Sequence, residues 1–98
     1  MNLTIEEVWK YPLELEEEQT IELPYGSMFL NLIEQNDLPT LYALVNPATK
    51  LKECWQISLR ATGQPISGEM PRTSMFIGTV STLGGKLIWH LWLRRNNE

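Results

Sequence analysis

The chain has 98 residues, 43% hydrophobic and 20% charged, a balance that fits one ordinary globular domain over residues 1–98 and argues against disorder. No stretch approaches the roughly 20 apolar residues of a membrane-spanning helix, and the acidic start, Met1 to Glu7, lacks the basic and then apolar pattern of a signal peptide. The net charge of −4 argues against a general nucleic-acid binder, which needs clustered cations to neutralise phosphates.

Taken in chain order, strand signals outnumber helix signals. Trp9, Tyr11, Leu13 and Leu15 alternate with Lys10, Pro12 and Glu14. That period of two predicts a half-buried strand, which Pro12 confines to an edge or a bulge. Glu16 to Gln19 reads as a solvated turn, and Thr20 to Leu23 alternates again before Pro24-Tyr25-Gly26 ends it. Ser27 to Glu34 and Thr40 to Asn46 predict two strands of a hairpin joined by Gln35 to Pro39, because Asn and Asp tolerate the backbone of tight turns. The first of these is apolar on both faces, as a central strand would be. A short helix is the competing reading, since Met28 with Leu32 and Leu30 with Ile33 also suit helical spacing.

The cleanest alternation follows: Leu51, Glu53, Trp55, Ile57 and Leu59 against Lys52, Cys54, Gln56, Ser58 and Arg60. Glu53 is the one polar member of the first set. Ala61 to Arg72, with Gly63, Pro65, Gly68 and Pro71, predicts a long loop, and long loops inside small domains are often functional. Met75–Thr82 and Lys86–Arg95 predict a final hairpin around Leu83-Gly84-Gly85. In its last strand Leu87, Trp89, Leu91 and Leu93 form a core face. Lys86, Ile88, His90, Trp92 and Arg94 form a mixed one, either the second side of a wrapped core or an interface carried by Ile88 and Trp92. The whole predicts a mostly β protein: a compact antiparallel sheet, small sandwich or open barrel of about six to seven strands, with at most one short helix.

The charges are divided along the chain. Residues 1–37 carry nine acids against Lys10 alone, whereas residues 38–98 carry seven bases against three acids. The basic half can hold a small anion. Arg60, Thr62 and Gly63 combine a cation with a turn able to present backbone N–H groups, and Arg72 and His90 complete the candidate ligand-binding set. Catalytic chemistry finds little to work with. A convergent nucleophile, base and charge stabiliser are needed, and the chain offers one cysteine, Cys54, and one histidine, His90, with no signature around either. The glutamates at 14–18 form a solvated run without a pocket to tune them. No metal-ligand spacing and no phosphate-cradling glycine motif is present, so no cofactor is expected. A lone cysteine fits a reducing cytoplasm.

Trp9-Lys10-Tyr11-Pro12-Leu13, Gln19 to Pro24, Leu41 to Pro47, Thr62-Gly63-Gln64-Pro65-Ile66, Phe76 to Thr79 and Gly84 to Leu91 occur in this order in a small domain family of unknown function found in bacteriophage and prophage genomes, which this chain resembles from residue 9 to about 93. It departs from that family at Gln64, where histidine is more usual, and in its Asn2–Val8 start and Arg94–Glu98 tail. The resemblance implies a phage accessory protein in the infected host cytoplasm. The expected action is stoichiometric binding by a homo-oligomer that captures a host protein or a small anionic nucleotide signal and so counters antiviral defence. In the nucleotide version Trp92 stacks on the base; in the host-protein version the acidic N-terminal half meets a basic partner. The alternative is a minor virion or assembly protein that oligomerises through exposed strand edges.

Overall fold

Alternating apolar and polar side chains, punctuated by Gly, Pro, Asn and Asp, form seven strands: β1 (Glu7–Pro12), β2 (Glu18–Pro24), β3 (Met28–Gln35), β4 (Leu38–Val45), β5 (Lys52–Ala61), β6 (Met75–Thr82) and β7 (Leu87–Arg95). The computed structural model describes residues 5–96; the ends of the Asn2–Val8 start and the Arg94–Glu98 tail, residues 2–4 and 97–98, lie outside them. One helical turn, α1 (Met70–Thr73), precedes β6. The strands build two sheets, ordered β1-β4-β3 and β2-β5-β7-β6, with every pairing antiparallel. This is the small-sandwich form of the expected fold, and the sheets do not close into a barrel.

Local chemistry explains the turns. The β3–β4 connection narrows to Asn36 and Asp37, both in the left-handed region (φ 52° and 64°). Two such residues make the hairpin turn whose twist matches that of the strands. Leu83, Gly84 and Gly85 turn the chain between β6 and β7 in one 3-10 turn. Leu83 takes φ 53° there, a conformation that costs a residue with a Cβ about 1–2 kcal/mol. Its N–H donates to Asp37 Oδ1 at 2.6 Å, so the strained residue ties the turns of the two sheets together.

The core lies between the sheets. Leu32 and Leu41 from the three-stranded sheet meet Ile57, Leu59, Val80, Leu91 and Leu93 from the four-stranded sheet, with Leu13 beside them. Burying each such side chain fully contributes about 1.5–3 kcal/mol. Glu53, the polar exception on the inward set of β5, is only 7% exposed. Its Oε2 lies 3.3 Å from the Arg95 guanidinium but receives no directed hydrogen bond, so the pairing is one of charge rather than of geometry.

Two sequence expectations need correction, and one open alternative is decided. Residues 28–35 are a strand, as preferred, but β3 is an edge and β4 is central. The second apolar face of β3 is not buried: Met28, Leu30 and Ile33 are exposed. The Ala61–Arg72 loop is shorter than its composition suggests, because α1 folds its end and β5 runs through Ala61. Of the two readings open for the mixed face of β7, the structure has the outward one: the face lies on the outside of the four-stranded sheet, and β2 joins that sheet at its edge and does not cover it.

Candidate functional site

Cross-strand register places most of the predicted site residues on that outer face. Glu18 pairs with Ser58, Ser58 with Trp92 and Arg60 with His90, and across β7 Trp92 pairs with Phe76, His90 with Thr79 and Ile88 with Ser81. Arg60, Thr62, His90, Ile88 and Trp92 are therefore neighbours. Arg72 is not among them; it sits exposed on α1, which packs on β6.

The centre of the face is a closed polar network. His90 Nε2 lies 2.7 Å from Thr62 Oγ1 and Nδ1 lies 2.9 Å from Thr79 Oγ1. A neutral imidazole donates from one nitrogen and accepts at the other, and two hydroxyls serve both. The Arg60 guanidinium donates to the Glu17 carbonyl at 2.8 Å, to the Leu59 carbonyl at 2.9 Å and to Glu18 Oε2 at 2.7 Å. Glu18 Oε1 accepts from Gln56 Nε2 and Ser58 Oγ. Burial pushes the Glu18 carboxyl up, but the bonds from Arg60, Gln56 and Ser58 and the Arg60 charge outweigh it and hold the group below the usual carboxylate range.

The Thr62–Gly63 turn is similarly occupied. The Gln64 N–H donates to the Ala61 carbonyl and the Thr62 N–H to the Ile88 carbonyl, while the Ala61 N–H donates to Gln64 Oε1. Gly63 takes φ 87° to make this turn. Gln64, the position where the resemblance favours histidine, also bonds Glu17 through Nε2, so here it locks the turn onto the start of β2. Three of the four amides in residues 61–64 thus face partners inside the chain.

Below this network the face is aromatic. Phe76 and Trp92 pack edge to face with centroids 5.2 Å apart, and Phe76 is 52% exposed. Arg94 is exposed on the same side, in register with Gln56 and Thr20. Reasoning from sequence missed Phe76, because a large apolar residue in a strand reads as core. Cys54 is six residues along β5 from the partner of His90, about 20 Å at a strand's rise, so the two form no dyad. Among the described residues no three His, Cys, Asp or Glu side chains form a group that could hold a metal ion, and no helix is long and apolar enough to cross a membrane.

The other outer face differs in kind. On the three-stranded sheet the outward rows are Val8–Leu44–Met28, Lys10–Tyr42–Asn31 and Pro12–Thr40–Ile33; their central β4 members are covered by the flanking side chains, Thr40 fully and Tyr42 and Leu44 in part. Val8 is 57% and Met28 59% exposed, and Lys10 is the one charged member of the three rows.

The fold and these two faces define a small two-sheet β sandwich that presents a polar, aromatic-edged surface on one side and an apolar surface on the other. The chain belongs to the family described as domain of unknown function (DUF7352), which matches residues 4–98. No curated protein and no solved structure matches it.

Proposed function

We propose that this chain is a stoichiometric binding module that captures a protein partner on the outer face of its four-stranded sheet. The observation that carries this reading is the Phe76–Trp92 pair on the outer face of the sheet, with Phe76 half open to solvent, Trp92 partly so and exposed Arg94 beside them. Aromatic side chains and arginine dominate the energetic centres of protein interfaces. A strand face also suits a broad partner surface better than it suits a small molecule. The resemblance to phage domains supplies the setting: an accessory protein of the infected bacterial cytoplasm that blocks a host defence protein.

The nucleotide-capture version draws less support. Arg60 is already neutralised by Glu18, His90 is bonded at both nitrogens, and Arg72 stands apart. Assembly through strand edges also draws less support, because each of the four edge strands carries a guard. Pro12 and Lys10 mark β1, glutamates mark β2, and β3 and β6 are bulged at Leu30 and Ile77. Prolines, charges and bulges are the devices that keep edges from pairing.

The test is capture from infected-cell lysate on immobilised protein, with Phe76→Glu beside the wild type. A host protein retained by the wild type and lost with Phe76→Glu supports the reading. Equal retention by both, or a nucleotide that raises the melting temperature while no protein is captured, overturns it.

A further inference from the structure

A chain that carries a net charge of −4 is on balance repelled by copies of itself. The outer face of the three-stranded sheet is where that repulsion is weakest. Its three cross-strand rows contain no acid and a single base, Lys10, while Val8, Met28, Leu30 and Ile33 are exposed there. Exposed apolar side chains on β1 and β3, with half-buried Leu44 and Tyr42 between them, are costly to leave wet, and a contiguous apolar patch of this kind marks a contact surface.

We infer that this face is covered by a second copy of the chain, in a two-fold pair whose axis runs along β4. The row pattern is self-complementary about that line, as an isologous contact requires. Because β4 lies between β1 and β3, a two-fold axis along it sets β1 of one protomer over β3 of the other. Val8 then faces the partner's Met28, Leu44 faces the partner's Leu44, and Pro12 faces the partner's Ile33. Lys10 faces the partner's Asn31, whose side-chain oxygen also accepts from the Leu32 N–H at 2.9 Å. The single cation of the face therefore meets a neutral acceptor, and the two Lys10 groups stay two strands apart on opposite sides of the axis. The two sheets would stack about 10 Å apart with strands within roughly 30°, as in sandwich cores. The pair leaves both Phe76–Trp92 faces outward, so it is separate from the surface used in the proposed function.

Two measurements test the pairing. Light scattering on the wild type at rising concentration is expected to move from the 11.4 kDa of one chain to twice that mass. Met28→Glu is expected to remain at the single mass, with an unchanged circular-dichroism spectrum showing that it folds. In a Cys54→Ser background, Leu44→Cys sits on the axis and is expected to give a dimer with a short bismaleimide, whereas Thr20→Cys on the opposite outer face is not. A single mass at every concentration, or equal cross-linking at positions 44 and 20, overturns the inference. Phe76→Glu leaves the mass unchanged and so separates this result from partner capture.

Discussion

The two outer faces of the sandwich are built by the same kind of strand and do opposite things with it. On the four-stranded sheet, outward residues bond to one another: Arg60 to Glu18, Glu18 to Gln56 and Ser58, His90 to Thr62 and Thr79. On the three-stranded sheet, outward residues are mostly apolar, and among the described residues of its outward rows the side-chain bond to another side chain is that of Tyr42 to Gln35. The first face stabilises the monomer and leaves only its aromatic margin for a partner. The second contributes little to the monomer and is open to contact. Polar groups on a sheet thus do not by themselves mark a binding site; what matters is whether they already have partners.

The largest effect that would break this contrast is expected at Arg60. Arg60→Ala removes three charge-assisted bonds and leaves the Glu18 carboxylate without its cation, so a loss of about 2–3 kcal/mol is expected, read as a lower urea midpoint. A loss near zero would mean that the network is decorative and that Arg60 is free for a ligand.

Acid titration sharpens the same point. The Glu18 carboxyl is held below its ordinary value, so its contribution to stability is fully present above the ordinary carboxylate range and is lost as pH falls through the lowered folded value. Urea unfolding at neutral and acid pH should show the wild type losing more stability than Arg60→Ala, which has already lost the main cause of the shift. Parallel losses in the two proteins would place the acid-sensitive group elsewhere.

His90→Ala comes next. It leaves Thr62 and Thr79 to bond water at an exposed site, and a loss of about 1 kcal/mol is expected. The substitution should not change capture of a partner that rests on Phe76 and Trp92.

Much of this architecture is legible in the sequence, for reasons that can be located. The alternations over 51–60 and 87–93 are read correctly because one face is buried and the other is not, which imposes period two. Asn36-Asp37 and Gly84-Gly85 mark turns because the backbone there demands left-handed conformations. β3 is misread as central because an exposed apolar face and a buried one look alike in a single sequence. The site is harder still. Arg60 looks like a free cation until Glu18, forty-two positions away, is brought beside it, and no local pattern announces that pairing. The same holds for Val8 and Met28, which come to one row only through β4.

The smallest expected effect is the most discriminating for the apolar face. Met28→Thr keeps a residue suited to a strand and removes an exposed thioether, so unfolding of the dilute monomer should shift by less than about 0.5 kcal/mol. At high concentration a wild-type pair gains stability by mass action while the variant does not, so the two urea midpoints should coincide when dilute and separate as concentration rises. A large loss at every concentration would mean that Met28 supports the monomer core, and that the three-stranded face is less open than its exposure indicates. A small loss that never grows would leave the face apolar but unvisited by a second copy. Only the concentration-dependent gap ties exposure of this face to a role in association.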